Sequence, residues 1–519
     1  MQTRNLFLSL FAFAALCACN KEVQPETPQI LGEDACLSVR IMATDVATKA
    51  TEDFESGSTD ENAVTNVLFA FFDEEGKFMY TREYTEFSWD KGETTPNVED
   101  HSNATVVLDG KSIVPRQMVV VLNYDNNMKE NIDALKNTDG TVADMYNKLT
   151  TDYYTEHKGK QYFVMTNSSY VAEGDATGKN AFAAQIKSTD IYNKDAKPTP
   201  VPVVDVYVER VAAKLSVTTS ASLDTETKTL DLINGEAISY YPAIEGYAFT
   251  TTRTSSYLCK NIDGITIGNA WTWNDPTNKR SYWGNSYAPT SGPENLAYVN
   301  YDENEGQWKT SGYAAYCNEN MTSAHTKLIV KATIKQQMGA DKAGTDPALD
   351  LVKVADKYYI ESELKGAIIA ELSAEGVQWD NSGTQTDYLE GDLYFEATGG
   401  SAYQVDVKLA HPVITDKQTA AATILAKYTN LLRWQKGQCY FFTDIKHFGT
   451  EATNSDYGVV RNHVYKLSVT KISGLGTPFV PGVGGDGGDP VVPEEIDYEL
   501  QAKINILKWK VVEQKVELQ

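Results

Sequence analysis

The chain has 519 residues, enough for two or three domains of about 100–200 residues each. Hydrophobic residues make up 42% of it, an ordinary share for a globular protein with a sizeable core. The formal net charge of −25 argues against a nucleic-acid-binding protein, because there is no surplus of Lys and Arg to displace phosphate counterions. We interpret the acidity as a source of solubility in an exported protein, in preference to recognition of a cationic partner.

The beginning of the chain has the pattern of an export signal. Arg4 precedes an apolar run over Leu6–Leu16, which is too short to span a bilayer stably. The run leads into Cys17 and Cys19 and resembles a lipobox, where signal peptidase II cleaves before a cysteine that then receives lipid. Cys19 fits better than Cys17, because a leucine lies three positions before it. Residues 1–19 therefore predict a lipoprotein signal with Cys19 as the lipidation site; a plain secretory signal is the alternative.

The next segment combines a tether, a strand and a loop. Residues 20–34 are polar, contain two prolines and predict a flexible tether. Leu37, Val39 and Ile41 then alternate with polar residues, which is the period of a half-buried strand. Residues 43–61 are rich in Thr, Asp, Glu and Ser and predict an exposed loop.

Strands dominate the following region up to about residue 217. An apolar run at Val67–Phe72, a turn and a return at Phe78–Tyr80 predict a hairpin. Further strands are predicted at Met118–Leu122, at Tyr162–Met165 and within Val201–Val217, and short helices at Met128–Leu135 and Val142–Leu149. We place the end of a first domain near residue 217.

The second region, residues 218–478, is more irregular. Its best helix candidate is Gln418–Leu432. Short strands are predicted at Lys327–Ile334, Leu393–Ala397, Tyr403–Leu409, Cys439–Ile445 and His463–Ile472. Few helices and many short strands indicate β-sandwich-like domains.

The end of the chain is unusual because a strand follows a linker. Residues 479–495 are rich in glycine and proline, which predicts a flexible linker, and residues 496–519 follow as a strand-like segment. Its apolar residues alternate and change phase once, which indicates a bulge or bend: Ala502, Ile504 and Ile506, then Trp509 and Val511. Such a strand must complete a sheet edge, either its own or a neighbour's.

We find no sequence motif for catalysis or metal binding. HExxH, GxxxxGK[ST] and GxSxG are absent, and the six histidines are scattered. The acidic run at 302–306 lacks the ligand spacing of a calcium loop. Cys259, Cys317 and Cys439 form an odd, widely spaced trio and no disulfide framework. We expect no enzyme activity, no cofactor and no metal.

A long aromatic and polar stretch, residues 240–316, raises the question of sugar binding. Its tryptophans would suit stacking on sugar rings, although packing of loops on a sandwich is the preferred interpretation: Trp271, Trp273, Trp283 and Trp308.

Taken together, these segments resemble the fimbrillins of Bacteroidetes, the major fimbrial subunit proteins (FimA/Mfa-type) that build type V pili. The resemblance spans nearly the whole chain and depends on the order and spacing of several short motifs. Besides the lipobox, they are Val64–Gly76, Val119–Asn123, Phe163–Asn167, Val208–Lys214, Tyr316–Asn320, Arg461–Tyr465 and Ile504–Val511.

The resemblance implies a mostly β fold of two tandem transthyretin-like β-sandwich domains with short helices, residues 50–217 and 218–478, plus a C-terminal donor strand at 496–519. It also implies a maturation route. A lipoprotein precursor reaches the outer membrane, and a trypsin-like protease cuts it after Lys49, where better-known members carry arginine. The propeptide 20–49 would then leave with its plug strand.

The plug strand implied by the resemblance contains Leu37, Val39 and Ile41. The groove that it leaves would be filled by the C-terminal strand of another subunit, through Ala502, Ile504, Ile506, Trp509 and Val511. The expected partners are other copies of the chain and related fimbrial subunits. The resulting extracellular fimbrium would support adhesion and biofilm formation. A monomeric surface lipoprotein that binds glycans is the alternative.

Overall fold

The computed structural model describes most of the chain from residue 35 onward. The described residues are 35–44, 54–55, 57–85, 98–109, 113–172, 183–232, 235–263, 271–272, 278–280, 283–287, 298–299, 308–381, 383–398, 401–447, 457–479, 500–501 and 509–518. Several predicted residues lie outside them: Cys19, Lys49, Ala502, Ile504, Ile506 and the acidic run 302–306. Within the described part, no helix is long and apolar enough to cross a membrane.

The mostly β character predicted from the sequence is confirmed. In the described part up to residue 210 the strands are β1 (Ala35–Thr44), β2 (Phe54–Glu55), β3 (Val67–Phe72), β4 (Phe78–Tyr84), β5 (Val98–Val107), β6 (Gln117–Leu122), β7 (Thr150–Thr151), β8 (Tyr154–His157), β9 (Lys160–Phe163), β10 (Met165–Asn167), β11 (Tyr170–Ala172), β12 (Ala184–Gln185), β13 (Ile191–Asn193) and β14 (Val203–Arg210).

The described strands after residue 210 are β15 (Ala213–Thr225), β16 (Lys228–Asp231), β17 (Ala237–Thr250), β18 (Thr252–Arg253), β19 (Ser256–Tyr257), β20 (Trp271–Thr272), β21 (Asn278–Arg280), β22 (Tyr298–Val299), β23 (Tyr313–Cys317), β24 (Lys327–Gln336), β25 (Leu351–Val354), β26 (Lys357–Ile360), β27 (Gln378–Asn381), β28 (Thr384–Asp387), β29 (Leu393–Thr398), β30 (Ser401–Leu409), β31 (Leu431–Trp434), β32 (Gln438–Asp444), β33 (His463–Ile472), β34 (Leu500–Gln501) and β35 (Trp509–Leu518). The α-helices are α1 (Asn126–Asp133), α2 (Val142–Asn147), α3 (Glu361–Ala374) and α4 (Gln418–Leu425).

The first sheet joins β13, β1, β14, β10, β6, β3 and β4, with β5 on β1 and β12 on β6. The interior strand β3 is apolar on both faces, and all six of its residues are buried. Phe69 contributes to one apolar cluster, whereas Leu68 contributes to a second cluster that includes Met128 and Ile132 of α1. The predicted hairpin and the two predicted helices of this region are confirmed.

A β-sandwich follows. One layer is the sheet β2-β35-β33-β15-β23, and the other is the sheet β16-β17-β24-β32. Leu215 of β15 and Leu467 of β33 meet Leu328 and Val330 of β24 in one buried cluster. The division of the chain at residue 217 stays a prediction, and β15, which runs across this position, pairs with β23 and β33.

A layer of helices on a third sheet was not predicted from the sequence. The sheet β26-β25-β31-β30-β29 is covered on one face by α3 and α4. Leu364, Ile368 and Leu372 of α3 are spaced by four residues and form one buried stripe, a helical signal that was present in the sequence. The predicted helix at Gln418–Leu432 is shorter than expected, because its last residues enter β31.

Candidate functional site: a strand slot and a buried polar junction

The predicted plug segment forms β1, an interior strand of the first sheet. It runs parallel to β14 from Ser38, opposite Val203, to Ala43, opposite Val208. Along its other edge it runs antiparallel to β5, with Ser38 opposite Thr105. Before Ser38, the edge of β1 that later faces β14 pairs antiparallel with β13, with Leu37 opposite Ile191. We call the space that β1 fills between β5 and these two strands the strand slot. The strand predicted from the alternating sequence is thus present and lies inside a sheet.

Side chains of β1 point alternately to the two faces of the sheet. Leu37 and Val39 are fully buried and Ala35 is 7% exposed, and all three belong to the same apolar cluster. The side chain of Ile41 lies outside the described set, but its backbone is paired with Val206. On the opposite face, the hydroxyl of Ser38 hydrogen-bonds to the hydroxyl of Tyr192 at 2.7 Å.

The slot therefore binds a strand by both backbone and side chains. Each of two fully buried side chains, Leu37 and Val39, is worth about 1.5–3 kcal/mol of burial. Backbone hydrogen bonds to β5 and β14 contribute about 1 kcal/mol each in net terms. Without β1, the facing edges of β5 and β14 would carry unpaired N–H and C=O groups over an exposed apolar core.

The C-terminal segment lies on a different sheet. In β35, Trp509 and Val511 are part of a strand that runs parallel to β33, with His463 opposite Lys510 and Ile472 opposite Leu518. The two residues of β2 pair with the start of β35 on its other edge. The described part of the tail therefore completes an edge of its own molecule, one of the two outcomes expected from the sequence.

Residues 58–60 of the predicted exposed loop, 43–61, are exposed as expected, but its last residue, Glu61, is buried. Glu61 is 2% exposed and forms an ion pair with Lys214 of β15 at 2.7 Å. The hydroxyl of Tyr316 also donates to Glu61. Burial by itself would raise the pKa of Glu61, but the hydrogen bonds from Lys214, Tyr316 and the Ser58 N–H together lower it below the usual value.

Three of the motifs that carried the family resemblance meet in one buried cluster of charged residues, which we call the buried polar junction. The motifs are Val208–Lys214, Tyr316–Asn320 and Arg461–Tyr465. Arg461 donates to the Leu258 carbonyl at 3.0 Å and lies 3.5 Å from Glu319, both side chains being fully buried. Lys260 and Glu209, also fully buried, are 2.9 Å apart. The sequence showed these residues only as motifs, because their partners are 51 to 203 positions apart.

Burial and neighbouring cations act in opposite directions on Glu319 at the junction. Burial raises the pKa of Glu319, while the nearby cations of Arg461 and Lys260 favour its charged form. Such pairs are costly to bury and costly to break, because an unpaired charge in the interior has no water to solvate it. The charged residues of the junction lie within β14 and β15 (Glu209 and Lys214) or two residues from the ends of β23 and β33 (Glu319 and Arg461).

The cysteines and the candidate metal ligands lie in positions that do not favour disulfide or metal chemistry. The four described cysteines are buried and none forms a disulfide: Cys36, Cys259, Cys317 and Cys439. Burial raises the pKa of the Cys259 thiol to about 12. Among the residues that the structure describes, no cluster of three or more His, Cys, Asp or Glu could hold a metal ion.

Comparison with known proteins agrees with the resemblance seen in the sequence. A family model of the major fimbrial subunit protein FimA matches residues 35–228, and a model of the C-terminal part of the fimbrillins, major fimbrial subunit protein type IV, matches residues 433–515. Together they span more than half of the chain. No curated protein sequence matches it.

Solved structures show only distant likeness. A proposed cell adhesion protein from Bacteroides eggerthii has 11% identity and a TM-score of 0.36, with 94% of this chain and 96% of that one covered. The tip fimbrial protein Mfa3 from Porphyromonas gingivalis has 11% identity and a TM-score of 0.28, with coverages of 60% and 84%. On the strength of the two sequence models, the chain belongs to the fimbrillin family, the structural subunits of extracellular surface fimbriae.

Proposed function

We propose that this chain is a stalk or major subunit that polymerises by protease-triggered strand exchange. The observation that carries the proposal is the position of β1, a strand with fully buried Leu37 and Val39 that lies between β5 on one edge and β13 and β14 on the other. Its removal would leave an apolar slot that requires another strand. A second copy of the chain can supply one from its C-terminal segment.

The connection between β1 and the rest of the protein suits a proteolytic trigger. β1 ends at Thr44 and β2 begins at Phe54, and Lys49 lies between them in the sequence. A trypsin-like cut after Lys49 would release β1 while leaving β2 joined to the body. N-terminal sequencing of assembled material tests this step. A mature N-terminus at Ala50 supports it, whereas one at Cys19 in polymers would refute removal of the plug.

Membrane attachment of the precursor follows from the signal sequence. We propose that Cys19 carries lipid and holds the precursor at the outer membrane until the cut releases it into an extracellular fimbrium. Labelling of cells with a palmitate analogue should fail for Cys19→Ala and persist for Cys17→Ala. Equal labelling of the Cys19→Ala variant and the unaltered protein would exclude Cys19 as the site.

The glycan-binding alternative has less support from the aromatic residues. Trp283 is 1% exposed and packs edge-on against His447, and Trp308 packs against Tyr440 at a ring separation of 5.6 Å. Trp283 is therefore closed to a sugar ring, and the partly buried Trp308 also has the ammonium of Lys331 5.7 Å from its ring centroid. A polymer of many copies would support adhesion and biofilm formation through its length and number of contacts.

Deletion of the tail tests the assembly mechanism. A chain that ends at Pro493 retains β1 in the slot but loses β35 from the edge of β33. It should still be exported and folded, which circular dichroism checks, yet fail to extend fibres after the cut. Ile504→Asp with Ile506→Asp should behave in the same way, because two buried unpaired carboxylates are strongly unfavourable. Fibres of normal length from the truncated chain, seen by negative-stain electron microscopy, would exclude the tail as donor.

A further inference from the structure

The environment of β1 limits which strand can replace it. Ala35, Leu37 and Val39 place one small and two large side chains in a row against the apolar cluster. At the small position the Ala35 carbonyl accepts a hydrogen bond from the N–H of Leu108, whose side chain is also buried. Because protein interiors are closely packed, the slot should accept one small and then two large side chains along the direction of β1.

The tail sequence contains the same order of sizes. Ala502, Ile504 and Ile506 are small, large and large, at the same spacing of two residues. The other alternating set in the tail begins at Leu507 and continues with Trp509, so it would bring large residues to the small position. In the reverse direction, Ile506 would occupy that position. Read backwards, Ala502, Leu500 and Tyr498 also run small, large, large, but Tyr498 is far bulkier than Val39 and Glu499 would take the place of Ser38. The forward alignment of Ala502, Ile504 and Ile506 is therefore the best match to these three positions.

A polar group supports the same alignment. Ser38 lies between the two large side chains of β1 and hydrogen-bonds to the Tyr192 hydroxyl at 2.7 Å. In the tail, Asn505 occupies the corresponding place in the sequence and carries both a donor and an acceptor. The Tyr192 hydroxyl could therefore regain a partner when the strand is exchanged.

We propose that the tail of a second copy fills the slot parallel to β14, with Asn505 at the position of Ser38. The three apolar residues then take the places of three slot residues: Ala502 for Ala35, Ile504 for Leu37 and Ile506 for Val39. This inference rests on the proposed strand exchange and adds to it the direction, the register and the polar contact.

Two positions fit the tail less well than the plug. At the position of Ile41, this register brings in Lys508. Cys36 is fully buried, and in this register Lys503 takes its place. The ammonium group must then extend out of the sheet to reach water. The uncut plug is therefore the better occupant, and exchange depends on its covalent release.

A disulfide trap in the full-length chain tests the register. Thr105 faces Ser38 across β1 and β5, and its side chain is exposed. After the cut, Thr105→Cys with Asn505→Cys should give a ladder of covalent oligomers on non-reducing gels. The matched control, Thr105→Cys with Lys503→Cys, should remain monomeric on the same gel; covalent oligomers from the control alone would mean the reverse direction and would overturn the proposal.

Assembly rates provide a second readout that needs no cysteine. Ala502→Leu overfills the small position and should slow fibre growth. In the reverse order Ile506, Ile504, Ala502, residue 502 would take the place of Val39, and a leucine would be tolerated there. Asn505→Val and Tyr192→Phe should each slow growth about two- to tenfold, and together no more than either alone. Normal growth of Ala502→Leu, or independent effects of the other two, would overturn the register. Failure of the unaltered cut protein to form fibres would instead reject strand exchange itself.

Discussion

At the residue scale, the polar side chains of the family motifs form the best-defined chemistry of the described structure. Glu61, Glu209 and Glu319 each face a basic partner in a buried position. These three ion pairs join residues that are 51 to 153 positions apart in the sequence. They link the segments that surround β14, β15, β23 and β33.

Breaking one buried pair should destabilise the protein strongly. Glu319→Ala leaves Arg461 charged and fully buried, and we expect a loss of about 3–5 kcal/mol in the free energy of unfolding measured with urea. Lys427→Ala is the matched control, because the Lys427–Glu371 pair lies at the surface and is worth about 0–1 kcal/mol. Similar losses in both variants would contradict a special role for the junction.

The pH dependence of stability should report on Glu61. Its pKa is lowered on folding from a reference value of 4.5, so the unfolded state binds the proton more readily. The contribution of Glu61 to stability is therefore complete above about pH 4.5 and is lost as the pH falls through the lower folded value. Unfolding of Glu61→Gln should show a smaller decrease across this range. An identical decrease in both proteins would remove Glu61 from the explanation.

At the scale of elements, helix α3 carries a sequence signal, the buried stripe of Leu364, Ile368 and Leu372. The helix itself was not predicted. Ile368 is fully buried between α3 and its sheet. We expect Ile368→Ala to lower the free energy of unfolding by about 2–5 kcal/mol. Ile369→Ala, at a partly exposed position of the same helix, should have a smaller effect. Equal effects would argue against the observed helix orientation.

Strands with clear alternation or continuous apolar runs could be predicted from the sequence. The residues of β1, β3, β6, β24 and β33 carry this signal locally, and each forms a strand. Pairing partners could not be predicted, because the parallel contact of β1 with β14 joins residues more than 160 positions apart. The buried end of the loop at Glu61 was missed for the same reason, since its polar residues are neutralised by distant partners.

At the scale of the whole molecule, the first and last described strands lie in different sheets. The N-terminal strand occupies the slot, and the C-terminal β35 lies on β33 beside β2. The same chain therefore contains both an acceptor and a candidate donor. Under the proposed strand exchange, each cut subunit would accept one neighbour and enter another, so the polymer would grow in one direction.

Blocking the cut should keep the protein monomeric. In Lys49→Ala the covalent link between β1 and the body persists, so the slot remains filled and fibres should not form after limited trypsin treatment. Arg40→Ala is the control, because a cut there would release only part of the strand. Size-exclusion chromatography distinguishes monomers from polymers. Polymers of normal length from Lys49→Ala would show that the plug need not be released at this site.

The identity of the strand in the slot decides whether fibres form by strand exchange. Electron cryo-microscopy of fibres grown from the cut protein can trace the chain between β5 and β14. We predict that this strand belongs to the tail of a neighbouring copy, with Ile504 and Ile506 in the places of Leu37 and Val39. Fibres in which every slot still holds the molecule's own β1 would contradict strand exchange.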